Sequence, residues 1–303
     1  MNRSSPVAWT VRIGALRAAH PDRLIHNRHP TFGQMTIHST EAEVISLIGV
    51  DYLRLKTRDG GELYLTRFGV PFRDHLAPEN WYATDWFNAR RVRLAGTSVI
   101  YKVPTRPVHG ISLDLVVRFS RVGQEVPLDP LTLSENIEAE FNSPFEEFAL
   151  VMELRAACVG ASWPRIFTKK PLAIYTPSEK LRDWQTGRLE SKMAAKWARH
   201  PEAELDMLRQ YLLLYGWIKG LDAVQAVQAL GITEDLAERF LSEVTLSAIR
   251  DLEMHDFRML DIKPAHIVLR MRPDGSLLRR HGNLSYALLD YELLQRISET
   301  CGS

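Results

Sequence analysis

An α+β fold is expected from three features of the chain. Alternating, β-branched segments gather between residues 92 and 122, a strongly signalled helix start stands at Ser143-Pro144, and helical periodicity runs through residues 201–254. The expected architecture is an antiparallel sheet carrying one helix, followed by a mainly helical second part.

The elements follow in order. DYLRLKT and ELYLTRF flank the turn Arg58-Asp59-Gly60-Gly61, a hairpin signal within a β-rich leader over residues 1–91. RRVRLAGTSVIYKVP and ISLDLVVRFSRV, with a proline-containing connection between them, read as three consecutive antiparallel strands. In SPFEEFALVMELRAA, Ser143 is the N-cap, Pro144 takes the first helical position, and Glu146 stands three residues after the cap. WPRIFTKKPLAIYTP offers two short strands, which complete a unit over residues 92–178. Residues 179–303 form the third part. There LDMLRQYLLLYGWIKGL and TEDLAERFLSEVTLSAIRDL read as helices, and AHIVLRMR and LSYALLDYEL as a hairpin around Pro273-Asp274-Gly275.

Composition narrows the function classes. A chain of 303 residues, 45% hydrophobic and 25% charged, has material for a sizeable core. Its 38 Lys+Arg against 37 Asp+Glu leave no global field that would draw nucleic acid or an anionic membrane. Cys158 and Cys301 have neither metal-ligand nor redox spacing, as suits a reducing compartment. No apolar run is long enough to span a membrane or serve as a signal peptide, so a cytoplasmic protein is expected, with neither membrane nor nucleic acid as partner.

The chemistry-bearing residues cluster near the end. LDIKPAHI sets Asp261, Lys263, Pro264 and His266 in a short polar loop behind a long helix, and LLDYE ends a strand on Asp290. These motifs, and the element order around them, resemble the protein-kinase-like superfamily in an atypical, minimal form similar to RIO-type and aminoglycoside-phosphotransferase-like folds. The resemblance covers residues 92–295 and implies a bilobal fold: an antiparallel-sheet first lobe with one helix, and a truncated, mainly helical second lobe. It places Asp261 as the catalytic base and Lys263 as the cation facing the transferring phosphoryl group. Asp290 would hold the metal, and His266 stands where a metal-binding asparagine is usual. Gly96, Thr97 and Ser98 correspond to a shortened phosphate-covering loop. Arg118 or Lys102 would grip the nucleotide phosphates, with Glu147 as the helix's partner for that cation; Glu146 is more simply a cap, and Glu140 takes the partner's place if the helix starts earlier. The implied cofactors are ATP with Mg²⁺ or Mn²⁺, and the partner besides nucleotide is an unidentified hydroxyl acceptor or protein.

The departures are equally legible. Met259-Leu260 stands where a kinase has His-Arg, Arg118 replaces a lysine, and only residues 291–303 follow Asp290, which leaves no expected room for an activation segment. A pseudokinase scaffold is therefore the alternative to an ATP-dependent phosphotransferase. Imidazole at position 266 suits manganese or zinc better than magnesium. His255-Asp256 hints at a metal-dependent phosphohydrolase, and NWYATDWFNARRVR at nucleic-acid stacking; the first lacks further ligands and the second a broader basic stripe. His20, His26 and His29 read as an exposed loop.

Overall fold

The computed structural model describes residues 42–96, 98–127, 139–160 and 166–297, all within a unit spanning Ile37–Ser303. The histidines at 20, 26 and 29 therefore lie outside the described residues, as does Thr97.

Strands β1 (Ala42–Leu47), β2 (Val50–Lys56) and β3 (Glu62–Leu65) open the described chain and are followed by the short helices α1 (Arg73–Leu76) and α2 (Thr84–Arg90). Next come β4 (Val92–Arg93), β5 (Ile100–Pro104), β6 (Asp114–Phe119), the long helix α3 (Pro144–Gly160), β7 (Ile166–Thr168) and β8 (Pro171–Thr176). Helices α4 (Asp183–Thr186) and α5 (Glu190–Arg199) precede β9 (Leu212–Gly216) and β10 (Leu221–Asp222). Helices α6 (Ala223–Ala229) and α7 (Glu234–Glu253) lead to β11 (Phe257–Met259), β12 (Ile267–Leu269), β13 (Arg279–Arg280), β14 (Asn283–Leu284), β15 (Tyr286–Leu288) and β16 (Leu294–Arg296).

The result is a mixed α+β molecule with one large antiparallel sheet and several helices. Eight strands run in the order β1-β2-β3-β8-β9-β6-β5-β4. The leader's hairpin extends this sheet: β3 pairs with β8, Leu63 lying opposite Tyr175. A second sheet, β10-β12-β15-β7, contains a parallel pair in which Tyr286 faces Ile166, and β11 pairs with β16.

Two expectations need correction. Residues 205–221, expected to be helical, contain no helix: LLLYG is strand β9, hydrogen-bonded on one side to β6 and on the other to β8, and Leu221 begins β10. A short apolar run buried on both faces gives no period that separates strand from helix. The hairpin near the end carries a second small one, β13–β14, at its tip.

Helix α3 starts with the anticipated capping box. The Ser143 amide donates to Glu146 Oε2 at 2.6 Å and the Glu146 amide donates to Ser143 Oγ at 3.2 Å, satisfying donors that a helix start leaves unpaired. Residues 144–151 are all buried, so the first two turns of α3 enter the core on every side, whereas Glu153 and Ala156 further along are exposed. Phe145 meets Tyr52 and Tyr64 edge-on at 5.7 and 5.3 Å, and Phe148 meets Tyr215 at 5.1 Å. Burial of these first turns on every side forces Glu146 and Glu147 inside, where a carboxylate needs partners. Those partners organise the site.

Candidate functional site

Arg118 projects from β6 and is 3% exposed. Its Nη2 forms an ion pair with Glu147 Oε2, while its Nη1 lies 2.8 Å from Glu292 Oε2. Glu147 also accepts a hydrogen bond from the Tyr215 hydroxyl on β9. Three elements of the fold thus meet at one guanidinium. A planar fork with several donors can serve two carboxylates at once, which a lysine ammonium does less well.

Lys169 joins this cluster from the β7–β8 connection. Its ammonium stands over the rings of Tyr215 and Tyr291, 4.9 and 5.7 Å from their centroids. Burial, with Arg118 adding to it, pulls its pKa down to about 7 against the opposing pull of Asp290 and Glu292.

Asp290 follows β15. Burial works against its charge, but Arg118, His266, the Glu292 amide and Lys169 outweigh it and hold the carboxyl below its ordinary range. The Glu292 amide donates to Asp290 Oδ1 at 3.1 Å, and His266 Nε2 stands 3.9 Å from Asp290 Oδ2. The 290–294 segment is fixed from the other side by Asn142, whose amide donates to the Glu292 carbonyl at 2.8 Å and whose side chain donates to the carbonyls of Tyr291 and Leu294.

Asp261 and Lys263 sit on the loop between β11 and β12. Their own ion pair, at 2.8 Å, is 40% exposed on the Asp261 side and 58% on the Lys263 side. The pairing of Met259 with Leu294 and of Ile267 with Leu288 brings this loop and the Asp290 segment together, and the Leu289 amide donates to the His266 carbonyl at 3.0 Å.

The other residues singled out in the sequence divide between this cluster and elsewhere. Ser98 is buried and donates from its hydroxyl to Glu292 Oε1, which ties the loop between β4 and β5 to the Asp290 segment. Gly96 has φ +134°, a conformation that disfavours side chains, in otherwise open space. Lys102 pairs with Asp114 at 3.0 Å and lies 4.6 Å from the Trp217 ring centroid. Of the two candidate cations, Arg118 is therefore the one paired with α3. Glu146 caps α3 and also binds Lys196 at 2.9 Å; Glu140 pairs with Lys196 and Arg199. His255 and Asp256 lie in the turn after α7, and Trp81, from the aromatic run, is fully buried against Tyr82 and Tyr175.

Sequence reasoning missed Lys169 and Glu292. Glu292 sits two residues beyond Asp290 in LLDYE and was in plain sight, whereas only the fold shows which lysine of the Lys169-Lys170 pair turns inward.

No three His, Cys, Asp or Glu side chains converge as a metal-ligand set among the described residues. Asp290 is one carboxylate, His266 is a ligand magnesium takes poorly, and Glu292 is committed to Arg118. This donor set fits a divalent ion carried mainly by phosphate and water, with Asp290 as its protein ligand, and does not fit an all-protein magnesium cage.

No family model matches the chain, and no curated protein does. Among solved structures, the crystal structure of Rad53 1-466 in complex with AMP-PNP is similar over 83% of this chain and 59% of that one, with 14% identity and a TM-score of 0.32. This chain thus spans less than two thirds of that protein, and a likeness at that score decides nothing further. No described helix is long and apolar enough to cross a membrane.

Proposed function

We propose that the chain is a kinase-like phosphotransferase that uses ATP and a divalent metal to phosphorylate a hydroxyl acceptor. The observation that carries this reading is the ion pair between Arg118, on the strand before α3, and Glu147 on α3, a counterpart, with arginine in lysine's place, of the strand-lysine to helix-glutamate pair of kinases. In this reading the strands around α3 form the first lobe, and α6, α7 and the small sheets the second. Asp261 accepts the proton of the acceptor hydroxyl as its oxygen bonds to the γ-phosphorus. The bond from that phosphorus to the β-γ bridging oxygen breaks, and ADP leaves with the electron pair. Lys263 faces the transferring group, which requires its pairing with Asp261 to open; both side chains are exposed enough to do so. Arg118 and Lys169 supply positive charge around Asp290, and a bound divalent ion would neutralise phosphate charge there.

Thermal unfolding with ATP or ADP, and with Mg²⁺, Mn²⁺ or neither, tests the assignment, because a ligand that binds only the native state raises the midpoint. The expected result is a metal-dependent rise that Asp290→Ala abolishes, with Asp261→Ala retaining the rise but losing turnover. Equal nucleotide affinity in wild type and Asp290→Ala would sink the site.

A second reading, a pseudokinase scaffold, is favoured by one specific observation. Arg118 is already neutralised by two carboxylates, and Ser98 closes onto one of them, so phosphate must compete with Glu292 for the guanidinium. No midpoint shift in any nucleotide and metal combination would make this the leading reading in place of the first.

A further inference from the structure

Lys169 and Lys170 are neighbours with different surroundings: the first belongs to the buried cluster around Asp290, and the second lines a separate cavity of about 360 Å³. That cavity lies between the end of α3, strand β7, the connection after β9 and the β12–β15 hairpin. Among the described residues its charged lining consists of Arg155, Lys170, Arg270 and Arg280, with no carboxylate. None of these four cations forms an ion pair among the described residues, although ion pairs are plentiful elsewhere in the molecule.

Arg155 is held in place rather than loose. Its Nη1 donates to the Thr168 carbonyl and to Thr168 Oγ1, both at 2.8 Å. Its Nε, in contrast, is buried with no hydrogen-bond partner among the described residues. A buried guanidinium donor left unpaired costs stability unless something binds it. Arg280 is also preorganised, stacked 4.9 Å from the Phe167 ring centroid. Phe167 and Trp217 give the same cavity an aromatic wall. Its volume falls in the range that holds small ligands, which is about 300–1,000 Å³.

We propose that this cavity binds a small organophosphate with an aromatic or similarly flat body, its phosphate facing Arg155, Arg270 and Arg280 and its ring against Phe167 and Trp217. Planar guanidinium forks recognise phosphate through paired, charge-assisted hydrogen bonds. The site is independent of the proposed phosphotransfer, since it shares no lining residue with the Arg118, Glu147 and Asp290 cluster.

Calorimetric titration of the full chain with phenyl phosphate and with inorganic phosphate, in EDTA, tests it. Phenyl phosphate is expected to bind saturably and more tightly than inorganic phosphate, and the double variant Arg270→Gln/Arg280→Gln to lose at least about tenfold in affinity. Both arginines are exposed, so the variant is expected to keep its ligand-free unfolding midpoint and its response to nucleotide and metal. Absence of saturable phenyl phosphate binding to wild type would overturn the proposal, as would unchanged affinity in the double variant. Equal affinity for the two probes would likewise overturn it, since the ring is assigned to Phe167 and Trp217.

Discussion

Lys169 illustrates how one residue's environment becomes measurable. An amine held at a pKa of about 7 in the folded chain and at 10.5 when unfolded binds fewer protons folded than unfolded between those values, so its contribution to stability improves as pH rises through that window. Lys169→Met removes both the charge and this dependence. It is expected to raise the unfolding midpoint most at pH 7 and below, with the advantage over wild type shrinking toward pH 10; a constant difference across that range would contradict a buried, depressed amine. The residue scale is also where the sequence was least informative. Asp261, Lys263, His266 and Asp290 could be named as candidates because they stand in short motifs. The sequence left Arg118 and Lys102 as alternatives for the cation facing α3, and only the fold shows that Arg118 pairs with Glu147 while Lys102 pairs with Asp114. Lys169 joins that pair from a distant connection, and nothing in TKKP says which lysine the fold buries.

At the scale of elements, α3 was legible from its first four residues. Ser143, Pro144 and Glu146 form a local signal that depends on no distant partner. The same capping box now has a wider role, since Glu146 Oε2 also receives Lys196 from α5 at 2.9 Å. Ser143→Ala removes the acceptor for the Glu146 amide and is expected to cost about 1–2 kcal/mol, read as a lower urea midpoint at unchanged slope. Strand β9 was misread for the opposite reason. Leu212, Leu213, Leu214 and Tyr215 are all fully buried, and a run that is apolar on both faces carries no alternation. Its strand character comes from β6 and β8 on either side, partners that the local sequence does not name.

For the whole molecule, the continuity of the eight-stranded sheet matters most. The leader's hairpin was foreseen, but its attachment to β8 was not, because strand pairing across more than a hundred residues leaves no local trace. Glu62 of β3 marks that attachment chemically. It is buried and receives Lys56 at 2.8 Å and Arg209 at 2.6 Å, with Arg54 also paired to it. Burial opposes its charge, but hydrogen bonds from Lys56, Arg54 and Arg209 prevail and hold its pKa at about 2, below the ordinary 4.5. A carboxyl depressed on folding lends stability that is complete above its unfolded pKa and is lost as pH falls through the folded one. Glu62→Gln is therefore expected to lower the thermal midpoint at pH 7, with the gap to wild type closing between pH 4.5 and about 2; a gap that persists at pH 2 would show that the charge is not its cause.

The parallel pairing of β7 with β15 has a mechanical consequence. The chain passes from the large sheet to the small one after β9, and β7, which leads directly into β8, clamps the two sheets a second time through Ile166, Phe167 and Thr168. A body joined at one point can swing like a jaw, whereas a body joined at two resists, because rotation would shear a whole row of backbone hydrogen bonds. Ser98, on the loop between β4 and β5, is pinned to the same framework at more than one atom: its hydroxyl donates to Glu292 and its carbonyl accepts from Arg93.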